Sequence, residues 1–250
     1  MRTALVAGLG LIGGAVGMAL RRAGWRVAYL DPHVSLEEAQ RAGAADVRAE
    51  TLDGDLVILA TPVDVAVELL NVGQAEARPT FTSVCSVMGP FGGIDDFVAG
   101  HPMAGWHEGG LANAHHVVLD GARWYLGGSH PLVEQLVRDC GAIPVQVDPK
   151  EHDAAMALTS HLPQVLSTAL FAYLSDKNVE QFAGAGLRSF RLAASDGGMW
   201  HSVLQANREH LAPHAEGIAE LVRAIIEGRD DDAFARARRL WQSLQPPEKP

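Results

Sequence analysis

Between Arg2 and Arg21 the chain carries no charged side chain, and glycine recurs in that stretch at positions 8, 10, 13, 14 and 17. An apolar run of this kind suits an export signal, a membrane anchor or a buried strand that opens onto a helix. The glycines weaken the first two readings, because they destabilise a spanning helix and the run is short of the roughly 20 residues needed to cross about 30 Å of hydrocarbon. The third reading uses them. The segment TALVA is a short apolar run suited to a buried parallel strand, and GLGLIGG then places Gly8, Gly10 and Gly13 in a G-x-G-x-x-G pattern around Leu11 and Ile12. A helix follows, with Arg21 and Arg22 in its last turn and Gly24 as its stop. A second strand, WRVAYL, ends at Asp31.

Each glycine has a task in such a layout. Gly8 permits the tight turn, Gly10 lets the backbone approach a pyrophosphate, and Gly13 allows close helix-to-strand packing, with the helix N-terminus facing the phosphate charge. Asp31, at the tip of the second strand, can accept hydrogen bonds from the adenosine ribose hydroxyls and would repel a 2′-phosphate, which favours NAD over NADP. A structural glycine turn or a targeting segment are the alternatives.

Composition narrows the partners. With 20 basic and 30 acidic side chains the net charge is −10, which repels polyphosphate backbones and anionic lipid heads, so neither nucleic acid nor membrane is expected. The only cysteines, Cys85 and Cys140, lack paired spacing, and a reduced cytoplasmic setting without a disulfide scaffold follows.

Along the rest of the chain, GDLVILATP, TFTSVCSV, DDFVAG, RWYLGG and AIPVQVD read as strands, while VDVAVELLNV and PLVEQLVRDCG read as helices between them. The fold class expected is α/β, a doubly wound parallel sheet over residues 1–148, followed by an all-helical domain over 149–245 and a disordered tail at 246–250. The first long helical segment, from Lys150 to Asp176, carries more apolar surface than a small helical domain buries alone, so a homodimer through the helices is expected.

Ligands in such folds lie beyond the carboxyl ends of the strands. There, Thr61 and Pro62 either close an ordinary turn or touch the cofactor. Ser86 is either a solvated loop serine or a hydrogen-bonding partner of a base or a substrate hydroxyl, and Cys85 is a small buried hydrophobe or a nucleophile. His101, held between glycine and proline in GHPMAG, could take a proton from an alcohol as hydride leaves the same carbon, titrating near the ordinary imidazole value of about 6.5. His101, His107, His115, His116 and His152 show no recognised zinc spacing, and no metal is expected. His161 precedes Pro163, which kinks its helix, and Arg191 is either a solvated surface arginine or a bidentate clamp on a carboxylate.

Taken in order, GLGLIGGAVGMALRRAG with Asp31, LVILATPVD, SVCSVMG, GHPMAG, EHDAAMALTSHLPQ, RLAASDGGMW and ANRE resemble the prephenate dehydrogenase family of tyrosine biosynthesis over most of the chain. The resemblance implies a Rossmann-type domain joined to a helical dimerisation domain. It also implies NAD-dependent oxidative decarboxylation of a cyclohexadienyl dicarboxylate, with prephenate expected and arogenate the alternative. By the same resemblance His101 is the base, Ser86 orients it, His161 contacts substrate, Arg191 holds a carboxylate and Trp200 lines the pocket. Ser83, Cys85 and Met88 depart from the family's usual D-V-G-S-V-K loop, Gln164 replaces a second histidine, and Gly197 replaces a proline. A β-hydroxyacid-type dehydrogenase and a non-catalytic NAD-binding relative are the other readings.

Overall fold

A computed structural model describes residues 1–76, 79–105, 109–195 and 197–244. The expected tail at 246–250 lies outside the described residues, as does His107. Strands β1 (Thr3–Ala7), β2 (Arg26–Leu30), β3 (Val47–Arg48), β4 (Leu56–Leu59), β5 (Thr80–Ser83) and β6 (Phe97–Val98) form one sheet in the order β3-β2-β1-β4-β5-β6. Every pairing in it is parallel. All four residues of β4 and four of the five in β1 are buried, as expected of parallel strands covered on both faces. Helices α1 (Leu11–Arg22), α2 (Leu36–Arg41) and α3 (Val63–Glu76) supply the cover. The order reverses between β1 and β4, which opens the crevice in which such sheets bind ligands beside the glycine turn.

Close packing around that turn accounts for two of its glycines. Gly8 adopts φ +94°, and a Cβ there would lie 2.6 Å from the Ala60 carbonyl oxygen. A Cβ at Gly13 would lie 1.9 Å from the Gly8 carbonyl oxygen, whereas one at Gly10 would meet nothing within 4 Å.

Beyond β6 the structure departs from a single doubly wound sheet. Strands β7 (Gly100–Pro102), β8 (Arg123–Leu126) and β9 (Ile143–Gln146) form a separate three-stranded sheet, in which β7 runs antiparallel to β8 and β9 parallel to it. Helix α4 (Pro131–Asp139) crosses from β8 to β9. The separation occurs at Gly100, whose absent Cβ would sit 2.5 Å from the Ser83 carbonyl oxygen. There the Ser83 hydroxyl bonds the Gly100 backbone N–H at 3.2 Å, so β7 is pressed against the carboxyl end of β5.

The helical part begins at α5 (Pro149–Met156), where the Asp148 side chain accepts from the amides of Lys150 and Glu151. A π-helical turn over Ala157–His161 then leads into α6 (Leu162–Leu174), with Pro163 in the first turn of α6. The kink expected at Pro163 is therefore a π turn that lets the proline start a helix, where its missing N–H costs nothing. Short α7 (Ala185–Arg188) is followed by α8 (Gly197–Ala206), α9 (Arg208–Ile226) and α10 (Ala233–Ser243). Helices α8 and α9 are separated at Asn207, which has φ −108° and ψ 18°. No helix among the described residues is long and apolar enough to cross a membrane.

Replacing Gly13 by Ala should destabilise the fold by about 1–3 kcal/mol through overpacking against backbone. Replacing Gly10 by Ala should cost less than about 1 kcal/mol, the scale of a helix N-cap change. Urea unfolding of the two variants checks this; equal losses would contradict the packing described.

Candidate active site

At the crevice, α1 starts at Gly10 with no side-chain cap and no acid in its first turn, so its leading amides, including those of Leu11 and Ile12, face the open space beside Gly10. Asp31 is fixed relative to this turn. One carboxylate oxygen accepts from the Leu9 N–H at 2.8 Å and the other from the His33 N–H at 2.8 Å. Across the crevice the Thr61 hydroxyl is buried with no partner among the described residues, and Pro62 beside it is exposed. Free amides at a helix start, a fixed acid after the second strand and an orphaned hydroxyl between them fit a dinucleotide with its pyrophosphate at the turn.

His101 stands in β7, directly opposite Tyr125 in β8. Its Nδ1 lies 2.9 Å from His152 Nε2, and His152 Nδ1 lies 2.8 Å from Asp153 Oδ1. The Asp153 carboxylate is further held by the Met88 N–H at 2.9 Å and the Gly89 N–H at 2.7 Å. His152 and Asp153 are both buried. An ionised carboxylate only accepts, so His152 Nδ1 carries the proton toward Asp153; with the His152 ring neutral, Nε2 accepts and His101 Nδ1 donates to it. That assignment leaves His101 Nε2 with a bare lone pair. Burial, with His152 and His161 alongside, pushes the His101 pKa down to about 3. The ring is therefore neutral far below the ordinary imidazole value expected from sequence.

A second array joins the helices to this one. The Asn207 side-chain amide donates to the Asp153 backbone carbonyl at 2.8 Å and to His161 Nδ1 at 3.0 Å. With Nδ1 accepting, the neutral His161 ring carries its proton on Nε2, which is buried without a partner among the described residues. Trp200 packs edge-on against His161, with ring centroids 5.9 Å apart. Burial pushes the His161 pKa down to about 4 against the opposing pull of Asp153.

The other sequence candidates fall out differently. Ser86 is half-buried, and the hydrogen-bond partner of His101 Nδ1 is His152. Cys85 is buried, its thiol pushed up to about 12, with Sγ 3.8 Å from the Thr61 carbonyl oxygen, so it joins the loops after β4 and β5 as a small apolar group. Arg191 is exposed on a single turn of 3-10 helix over Arg191–Ala194. It lines a shallow cavity of about 380 Å³ with Phe171, Leu187 and Phe190, and it forms no ion pair among the described residues. Gln164 braces that turn, donating to the Leu192 carbonyl at 2.9 Å and accepting from the Ser195 hydroxyl at 3.3 Å. Among the described residues no group of three His, Cys, Asp or Glu side chains is placed to hold a metal ion. Sequence reasoning missed Asp153 and Asn207. The available signal was the adjacency of histidine and aspartate one turn after the Asp148-Pro149 helix start.

Comparison with known proteins gives two family matches. "Prephenate dehydrogenase, nucleotide-binding domain" matches residues 16–138, and "Prephenate dehydrogenase, dimerization domain" matches residues 148–239. The prephenate dehydrogenase of Bacillus subtilis is 31% identical over 94% of this chain and 72% of its own length. That of Lactococcus lactis subsp. cremoris is 28% identical over 98% of this chain and 78% of its own. The crystal structure of prephenate dehydrogenase from A. aeolicus in complex with hydroxyphenyl propionate and NAD+ shares the fold, with a TM-score of 0.84 at 24% identity over 97% of both chains.

The buried neutral histidines predict a direction for acid stability. Unfolded, His161 binds a proton near pH 6.5; folded, it does so only near 4. As pH falls through that window the unfolded state takes up the proton that the native state refuses, so stability is lost, with a slope of up to about 1.4 kcal/mol per pH unit for this ring. Urea midpoints should fall from pH 7 to pH 5, and His161→Gln should flatten the dependence; a midpoint constant over that range would contradict it.

Proposed function

The chain belongs to the prephenate dehydrogenase family, and from that premise we infer that it catalyses the NAD-dependent oxidative decarboxylation of prephenate to 4-hydroxyphenylpyruvate, with His101 as the base. One observation carries the assignment of the base. The hydrogen-bonded chain from Asp153 through His152 fixes the His101 ring and frees Nε2 as an acceptor. When bound at the glycine turn, NAD supplies the acceptor for the hydride leaving the ring carbon that bears the hydroxyl. Loss of the carboxylate from the opposite ring carbon makes the ring aromatic, so the thermodynamic drive lies in the substrate. The chain's own task is to align that carbon and take up the hydroxyl proton.

Roles for the remaining residues follow from what each can offer. Gly8, Gly10, Leu11, Ile12 and Gly13 receive the pyrophosphate and Asp31 the ribose, with Thr61 and Pro62 beside the cofactor. The Ser86 hydroxyl sits in the loop after β5 and is suited to hydrogen-bonding the substrate hydroxyl. His161 presents a buried N–H to the substrate and Trp200 closes the apolar wall behind it. Arg191, without an ion-pair partner among the described residues, gives the net acidic protein a guanidinium for a substrate carboxylate.

We place the subunit contact of a homodimer on the helical domain, where Ile226 is 79% exposed, Phe234 78% and Trp241 67%. Such a set of large apolar side chains on two helices is suited to a second copy. The two buried free thiols suit a reducing cytoplasm.

Purified protein with NAD should form NADH when prephenate is added; turnover with arogenate alone would reassign the substrate, and turnover with neither would overturn the reading. His101→Asn should lower kcat by about 10² to 10⁴ with little change in NAD affinity. Arg191→Gln should raise KM roughly 10-fold or more, the value of a charged hydrogen bond. The acid limb of kcat/KM should lie well below pH 6.5; a limb at 6.5 would contradict the neutral His101 described above. Sedimentation should show a dimer that Trp241→Lys weakens; an unaffected dimer would move the contact elsewhere.

A further inference from the structure

A base that resists protonation poses a problem for any reaction that hands it a proton. His101 is held neutral by burial and by two neighbouring imidazoles, so an imidazolium confined to its ring would be a costly product. The structure offers an exit. His101 Nδ1 donates to His152 Nε2 across 2.9 Å, and the far nitrogen of His152 is 2.8 Å from the Asp153 carboxylate. That carboxylate is in turn fixed by two backbone amides from the loop after β5. Tyr125 packs against the His152 ring with centroids 5.6 Å apart, and His101 meets it nearly perpendicularly.

We propose that His152 is a proton relay acting through His101: as His101 Nε2 accepts the substrate hydroxyl proton, its Nδ1 proton passes to His152 Nε2, leaving the positive charge on His152 against Asp153. The step balances without any further reagent. One O–H bond breaks and one N–H bond forms at His101 Nε2, one N–H bond breaks at His101 Nδ1 and one forms at His152 Nε2. His101 ends neutral with its proton on the other nitrogen, and the new charge pairs with a carboxylate already positioned for it. A single histidine on the same strand would have to carry that charge itself, beside His161 and with no carboxylate among the described residues hydrogen-bonded to it. His152 is thus a positioning residue with a second duty, because the same hydrogen bond that sets the His101 tautomer also holds the proton until it returns along the same path to the phenolate oxygen left by decarboxylation.

The inference rests on the dehydrogenase reading above, and the test separates the two. His152→Gln keeps an acceptor near the Nε2 position, and so keeps His101 oriented, but it cannot hold a proton. His152→Leu removes both properties. Single-turnover NADH formation from prephenate should slow at least about 10-fold in the Gln variant, a loss on the scale of acid–base catalysis, with the KM for prephenate and the affinity for NAD within about twofold of the parent. The parent's proton inventory in mixtures of light and heavy water should be bowed, reporting two protons in flight. A Gln variant within about threefold of the parent, or a linear inventory in the parent, overturns the relay and leaves His152 as an orienting group alone. The inventory needs no variant, so it decides the matter even if His152→Gln folds poorly. A parent that makes no NADH from prephenate or arogenate overturns the underlying reading instead, a result distinct from an active parent with an equally active variant.

Discussion

The carboxylate of Asp153 is the contact on which the site depends. It belongs to the first helix of the helical domain, yet its oxygens accept from the Met88 and Gly89 amides in the loop after β5, and its neighbour His152 reaches across to His101. A buried carboxylate is tolerated only where hydrogen bonds replace lost water. Asp153 has two backbone amides and an imidazole, and Asn207 secures its backbone carbonyl. The interface between sheet and helices is therefore organised around one buried anion. The His101 imidazole takes its orientation from that carboxylate, through His152, rather than from its own loop.

This arrangement explains how the structure accommodates Met88 at a position where the family usually carries lysine. Only the backbone amide of Met88 is used in the contact with Asp153, while its side chain is fully buried in the apolar cluster with Val87 and Phe91. The loop is held by main-chain donors, which any residue but proline can supply. Gln164, in place of a second histidine, braces the turn that carries Arg191.

The first third of the chain was legible because its pattern is local. Glycine spacing, buried strands and a helix stop all follow from neighbours in sequence, and the sheet forms with the glycine turn at its switch point. Helix α2 went unread although Ser35 and Glu38 form a reciprocal capping box, because its six residues show too little periodicity to stand out. The separate sheet of β7, β8 and β9 could not be read, since an antiparallel pairing of Gly100–Pro102 with residues more than twenty positions away leaves no local trace. The site divides along the same line. His101 was visible from its loop, whereas its true partner is 51 positions distant and was visible only as one histidine among 11.

The proposed role of His101 as base and the relay both require one tautomer, protonated at Nδ1 and bare at Nε2. Nitrogen-15 NMR of the histidine side chains at neutral pH, with His101 identified by substitution, reads that directly. The account predicts a pyrrole-type shift at His101 Nδ1 and a pyridine-type shift at Nε2, with His152 likewise protonated at Nδ1. A His101 ring protonated at Nε2 would reverse the hydrogen-bonded chain and contradict the account.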